Sequence, residues 1–268
     1  MRNLVVFSAL ALAACNPPGD TGDTDTDTDA AVAPTDFGFV YLSSEPGLGF
    51  SDAGAVFRRL LPHAYDCAET AVAGCTVLTC GDAPLDYEPV DAGLITITGA
   101  TSPIAMSYAA VDGYGDVFRP EEALFAGGET IAASAPGADG PAFALSAVAP
   151  TAVTIATPAW PSGQDTLAIP RASGFTFTWT GTSAGSVVAN LSNNSQSIGV
   201  SCPFPAADGT ATIPAEALAE LPVGGGFLDI EGRSEDTAQI NTWQVRLAVS
   251  THALVAPLSP AIAGVRFQ

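Results

Sequence analysis

This chain of 268 residues carries a formal net charge of −20, with 8 arginines and no lysine. That charge excludes a nucleic-acid or acidic-membrane binder, because both affinities rest on clustered Lys and Arg. Hydrophobic residues at 47%, charged residues at 13%, 27 Gly and 21 Pro exclude a wholly disordered chain and describe a core-forming, turn-rich one.

The first element is an apolar run from Leu4 to Leu12 behind the single charge of Arg2. A spanning helix needs about 20 apolar residues, so a signal peptide over residues 1–14 is expected instead. The run closes on Leu12-Ala13-Ala14-Cys15, which looks like a bacterial lipobox. Leu12, Ala13 and Ala14 are then the signal-peptidase recognition residues, and Cys15 is the lipidated first residue of the mature protein. Each acyl chain adds about 0.8 kcal/mol per buried methylene, so several chains hold the protein in the bilayer. Asn16 follows Cys15. By resemblance to Gram-negative lipoproteins, that residue favours the outer membrane.

Residues 15–36 form the second element, an Asp/Thr-rich tether with almost nothing to bury. Such a segment is expected to be disordered and stretched by its repelling carboxylates, with a span of about 25 Å as a flexible coil. Asp25, Asp27, Asp29 and Asp36 match some spacings of a calcium loop. The sixth position is Ala30 rather than Gly, however, and no helix flanks the segment, so no metal site is assigned.

The remainder is long enough for two domains, set at 37–149 and 150–268. No later segment approaches the roughly 18 uninterrupted apolar residues of a membrane helix. The first domain carries His63 just before the cluster Cys67, Cys75 and Cys80; Cys202 lies far downstream. Export places these cysteines in an oxidising compartment, so disulfides are expected. Three complete pairings remain open. A Cys67–Cys80 closure would add about 3 kcal/mol. Either Cys202 bridges to the cluster or one clustered cysteine stays free. Zinc is not favoured, since the spacings are not CxxC and both histidines are remote.

Strand patterns follow. Leu94 to Thr98, Thr130 to Ala133 and Ala142 to Val148 are short candidates. Between them, Asp112-Gly-Tyr114-Gly-Asp116 is a possible ligand loop, a tyrosine set between glycines and carboxylates. The plainer alternative, a turn whose Tyr114 packs back on the sheet, is preferred. Pro120 to Phe125 suggests a helical turn. In the second half, Gly174 to Gly181 places Phe175, Phe177 and Trp179 on one face, the period-2 signature of a half-buried strand. Trp160, beside Pro158 and Pro161, suits either the domain boundary or one edge of its own sandwich. Val187 to Leu191, Gly199 to Cys202 and Phe227 to Glu231 are further strands. Pro214 to Leu221 reads as a short helix with Pro214 at its first position. Trp243, Val245, Leu247 and Val249 alternate with polar residues as the last clear strand.

Together the lipobox, the tether, Cys75-Thr-Val-Leu-Thr-Cys80, Leu124-Phe125-Ala-Gly-Gly128, Phe177-Thr-Trp179-Thr-Gly181 and Cys202-Pro-Phe-Pro205 resemble uncharacterised bacterial lipoproteins with paired β-sandwich regions. The resemblance implies a fold and an address and carries over no catalytic residues.

Catalytic patterns are weak. Gly181-Thr-Ser183-Ala-Gly185 matches GxSxG, but a nucleophile elbow needs a helix next, and Ser186 to Leu191 reads as a strand. A hairpin turn is expected there. His63 and His252 are read as isolated surface residues. Glu235 and Asp236 are adjacent and diverge in an extended segment, so no glycosidase pair is defined. The fold expected is all-β: two immunoglobulin-like antiparallel β-sandwiches behind the tether. The role expected is a non-enzymatic envelope module with no cofactor, bound to the lipid bilayer through Cys15 and recognising an envelope protein or a glycan. The alternatives are a hydrolase with a carboxylate pair assembled from loops, and a passive surface spacer.

Overall fold

A computed structural model of the chain describes residues 36–45, 50–60, 67–80, 87–110, 113–120, 122–161, 165–181, 183–255 and 259–268. The signal peptide, Cys15, most of the tether, His63 and Asp112 lie outside the described residues, as does the Cys67 side chain.

Strands dominate. The chain runs through β1 (Asp36–Glu45), β2 (Phe50–Leu60), β3 (Cys67–Val72), β4 (Cys75–Cys80), β5 (Tyr87–Pro89), β6 (Ile95–Thr98) and β7 (Ile104–Met106). It continues through β8 (Tyr108–Ala109), β9 (Gly113–Tyr114), β10 (Val117–Pro120), β11 (Thr130–Ala135), β12 (Phe143–Val148), β13 (Thr154–Thr157), β14 (Leu167–Ile169) and β15 (Phe175–Thr180). After β16 (Ser186–Asn193), β17 (Ile198–Pro205) and β18 (Thr210–Ile213) comes α1 (Ala215–Ala219). The chain ends with β19 (Gly224–Ile240), β20 (Trp243–His252), β21 (Leu254–Val255), β22 (Ser259–Pro260) and β23 (Ile262–Phe267).

One large sheet organises the body, in the order β10-β2-β1-β20-β19-β16-β17-β4-β3, with β5 on β2 and β23 on β19. Two smaller sheets, β12-β11-β6-β7 and β18-β15-β13-β21-β22, pack on its inner face. The long strand β19 serves two cores, with Leu228 and Ile230 in one and Ala238 and Ile240 against the other. Its first half, Gly224 to Asp229, pairs with β23, and its second half, Glu231 to Ile240, pairs with β20 along the same edge.

Two cores result. The first gathers Val40, Leu42, Phe57, Ile95, Ile131, Phe143 and the β20 row Trp243, Val245, Leu247 and Val249. The second gathers Cys75, Val77, Phe175, Phe177, Trp179, Val187, Ile213, Leu228 and Phe267. Each core therefore draws on strands from both sides of residue 149. Cys75 on β4 is disulfide-bonded to Cys202 on β17, so Cys202 does bridge to the cluster. Cys80 is also disulfide-bonded and stands opposite Cys67 in the β3–β4 register.

Several expectations are corrected. The sheets are not purely antiparallel: β1 runs parallel to β20, from Asp36 beside Trp243 to Ser44 beside Thr251. Alternation reports which face a residue occupies and is blind to strand direction. Asp36, assigned to the tether, is the first residue of β1, where Thr242 Oγ1 donates to it at 2.9 Å. Pro120 closes β10, and the described residues 122–125 after it form no helical turn; Leu124 and Phe125 bury into the first core instead. Pro214 is the N-cap of α1 in an extended conformation. Arg171 donates from Nε to Leu218 O at 3.2 Å and from Nη2 to Ala219 O at 2.6 Å, satisfying carbonyls the helix leaves open. Trp160 packs against the second core and donates to Ile262 O at 3.2 Å. Finally, β15 and β16 belong to different sheets, so the two strands are not the arms of a hairpin. No helix of the described residues is long and apolar enough to cross a membrane.

Candidate functional site

The outer face of the large sheet carries the chemistry. Because side chains alternate along a strand, the residues between core positions point the other way. Tyr41 and Glu45 on β1, Asp52 on β2, Arg246 and His252 on β20, and Asp229, Glu231, Arg233 and Glu235 on β19 share that face. Asn190 on β16 and Ser201 on β17 extend it.

At one end, His252 is held between two carboxylates. Its Nδ1 lies 2.8 Å from Asp229 Oδ1 and its Nε2 lies 3.1 Å from Glu45 Oε1. Burial works to lower the imidazole pKa, but Asp229 and Glu45 outweigh it and hold the pKa well above 6.5. The protonated ring donates from both nitrogens. This overturns the expectation of an isolated surface histidine. Asp52, nearby, is pushed up to about 6 by burial first, then by the charges of Glu45 and Asp116. Tyr41 donates to Asp116 Oδ1 at 3.0 Å. Burial, Asp52 and Asp116 together push its hydroxyl pKa far up.

Further along the same strands lies an ion network. Arg233 Nη2 bonds closely to Glu231 Oε1, which also accepts from Asn190 Nδ2 at 2.8 Å. Ser201 Oγ donates to Asn190 Oδ1 at 2.9 Å. Glu235 bridges the two arginines, 3.5 Å from Arg233 Nη1 and 3.5 Å from Arg246 Nη1. Both arginines are 7% exposed; charges so buried persist only when paired and hydrogen-bonded. Burial opposes the Arg233 charge, yet Glu231 and Glu235 more than offset it and its pKa rises. Burial dominates at Arg246 and lowers its pKa. The Arg246 guanidinium also sits over the Phe39 ring at 5.0 Å.

The sheet curls around this network. Glu69 on β3, at the far end of the strand order, contributes to the field at Arg246. The resulting trough encloses a cavity of about 580 Å³ spanning Thr76 on β4, Ser201 on β17, Ser186 on β16, Arg233 and Glu235 on β19, and Arg246 on β20. β12 closes one side through Ser146, whose N–H donates to Asp236 Oδ2 at 2.9 Å. Gly185 makes the other closure possible. Its φ of 70° is left-handed, and a Cβ there would collide with the Arg233 carbonyl.

The residues singled out from sequence fall elsewhere. Tyr114 packs into the first core, as the plainer alternative had it; its hydroxyl donates to Gly93 O at 2.7 Å and accepts from Ala92 N at 2.8 Å. It therefore does not face a ligand, whereas Asp116 of that loop joins the outer face through Tyr41. Ser183 Oγ donates to Ala184 O at 3.1 Å. Cys75 and Cys202 brace the second core. The network on β19 went unread, although Glu231-Gly-Arg233-Ser-Glu235 alternates charge at the strand period and could have marked one face. Among the described residues, no group of His, Cys, Asp and Glu is placed to hold a metal ion.

No protein-family model and no curated protein matches this chain. Among solved structures, a study of cell-surface retention of a 1.5-MDa bacterial ice-binding adhesin gives a similar chain at 13% identity. That match covers 77% of this chain and 74% of the other, with a TM-score of 0.18. A calcium-stabilised ice-binding adhesin of an Antarctic bacterium follows at 14% identity, 76% and 56% coverage and a TM-score of 0.17. The four N-terminal immunoglobulin domains of Dscam1 follow at 10% identity, 77% and 54% coverage and a TM-score of 0.14. Overlaps at these TM-scores carry no argument about function, and the all-β, multi-sheet architecture stands on this chain's own strands.

Proposed function

We propose that this chain is a lipid-anchored cell-envelope protein whose β-rich body is a non-catalytic binding module. The anchor rests on Leu12-Ala13-Ala14-Cys15 and the tether behind it. The binding role rests on one observation above the rest: a side-chain-lined cavity of about 580 Å³ between the curled large sheet and β12, with two buried arginines fixed by Glu231 and Glu235. Concave sites with a few pre-positioned polar groups are the usual form of a ligand site.

A hydrolase is the second reading, favoured by Asp52, whose pKa of about 6 suits proton transfer. Its neighbours are already committed, however: Tyr41 donates to Asp116, and His252 is fastened to Glu45 and Asp229. A binding module therefore remains the better account.

Crosslinking on intact cells tests it. A photoreactive residue at Val148, 44% exposed on the cavity wall, is expected to give a reproducible adduct. The same probe at Val223, 70% exposed beside the start of β19, lies roughly 35 Å away along that strand at about 3.3 Å per residue and should not. Equal labelling at both positions, or none, would favour a passive spacer. The anchor is checked separately: Cys15→Ser should release the body from the membrane fraction, and an inhibitor of lipoprotein signal peptidase should accumulate the precursor.

A further inference from the structure

We propose that the trough between β4 and β20 binds a short segment of an uncharged glycan, a proposal that rests on the binding-module reading and names its ligand. The floor is a sheet face whose backbone groups are engaged in the ladders joining β4, β17, β16, β19 and β20. Recognition there must go through side chains. Five of these are hydroxyls, from Thr76, Ser146, Ser186, Ser201 and Ser234, and each can donate and accept. Ser234, only 7% exposed, has a buried Oγ with no hydrogen-bond partner among the described residues. That Oγ lies behind Gly185, which also lines the cavity, so the hydroxyls that a ligand meets are those of Thr76, Ser146, Ser186 and Ser201.

Charge selects against the other ligand classes. Arg233 and Arg246 are already paired with Glu231 and Glu235, so the network carries no net charge and a carboxylate, sulfate or phosphate group would have to displace those carboxylates to reach the arginines. An ammonium group would face Arg233 and Arg246 across the same space. An uncharged polyol meets neither penalty. Its vicinal hydroxyls suit planar guanidinium and carboxylate groups, which offer paired donors and paired acceptors. The apolar lining comes from Ala147, Val148, Ala184, Val188 and Pro203. These are shallow patches suited to the C–H face of a sugar ring and too small to anchor a large side chain. The volume of about 580 Å³ lies within the roughly 300–1,000 Å³ of small-ligand sites and accommodates a few linked sugar rings.

The test uses the whole mature chain and three probes: neutral di- to tetrasaccharides of hexose and N-acetylhexosamine, their uronic or sulfated counterparts, and extended peptides. Binding is read by saturation-transfer NMR and calorimetry. At least one neutral saccharide is expected to bind. Val148→Trp, at the exposed wall of the cavity, should weaken it about tenfold or more, and Val223→Trp should leave it unchanged. Ser186→Ala should weaken it several-fold without unfolding the body, because it removes a half-buried lining hydroxyl and adds no bulk. The proposal is overturned if the folded protein binds no neutral saccharide, if it prefers the acidic panel or a peptide, or if Val148→Trp has no effect. A protein adduct from the Val148 probe with no saccharide binding would sink the glycan while leaving the binding module standing. No adduct and no saccharide would sink both.

Discussion

The two cores solve the same problem differently. The second is built mostly from strands close in sequence and takes in one distant piece, β4, which the Cys75–Cys202 bond fastens to β17. The first closes without a bond of that kind. Its wall is completed by β20, which arrives from the far end of the chain and lies parallel to β1. Each core thus completes itself with a segment from the other half, and β19 runs through both. The difference teaches that the folding unit is the shared sheet rather than either half.

Cutting the chain is the severest way to break that comparison. Residues 37–149 alone lack β19 and β20, so Val40, Leu42 and Phe57 lose Trp243, Val245, Leu247 and Val249 as neighbours. This fragment is expected to show no near-ultraviolet circular dichroism and to bind hydrophobic dyes. A fragment with native-like signals would show that the first core closes without β20. Next in size is the disulfide. It closes a separation of 127 residues, and loops of that order are worth close to 5 kcal/mol in the chain-entropy model. Replacing Cys75 and Cys202 together by Ser should lower stability by about that amount in denaturant titrations, and should leave wild type and variant equal once both are reduced.

How much of this was legible in the sequence follows from what alternation encodes. Phe175, Phe177 and Trp179, and likewise Trp243, Val245, Leu247 and Val249, announce buried faces, and both rows are buried. Alternation is silent on partners, so nothing in those rows says that Trp243 lies beside Asp36 or that β15 and β16 belong to different sheets. The site was harder still. His252 looks solitary in sequence because Asp229 is 23 residues away and Glu45 is 207 residues away. Only the parallel placement of β1 beside β20 brings Glu45 to it. Glu231, Arg233 and Glu235 were visible as a charged row at strand spacing, but their value comes from Arg246 on the neighbouring strand and from the curl of the sheet.

Core truncations sharpen the comparison. Phe177 in the second core lies 5.5 Å from Trp179 and 5.8 Å from Phe204, ring centre to ring centre. Phe57 in the first lies 5.5 Å from Phe143 and 6.0 Å from Trp243. Replacing either by Ala should cost about 3–5 kcal/mol. If the shared sheet couples the cores, both variants lower a single calorimetric transition by similar amounts. Two separated transitions, each moved by only one variant, would mean that β19 joins the cores without coupling them.

The mildest test exploits charge, which the two cores treat unequally: Glu45, Asp52 and His252 all lie on the outer face over the first. The folded pKa of Asp52, about 6, lies above its ordinary 3.8. Between those values the folded state holds more protons than the unfolded one, so stability falls as pH rises through the window and stays lower above it. Asp52→Asn removes that penalty. It should be neutral near pH 3.5 and stabilising by up to about 3 kcal/mol at pH 7. His252 slopes the same way at higher pH. Its raised pKa means that the stability from Asp229 and Glu45 is complete below about 6.5 and is lost as pH climbs through the folded value. Thermal scans of wild type, Asp52→Asn and His252→Gln across this range separate the two windows. An Asp52→Asn protein less stable than wild type at pH 7 would mean that the carboxylate is held by a bond stronger than its burial, and would place a stabilising contact where the structure shows a cost.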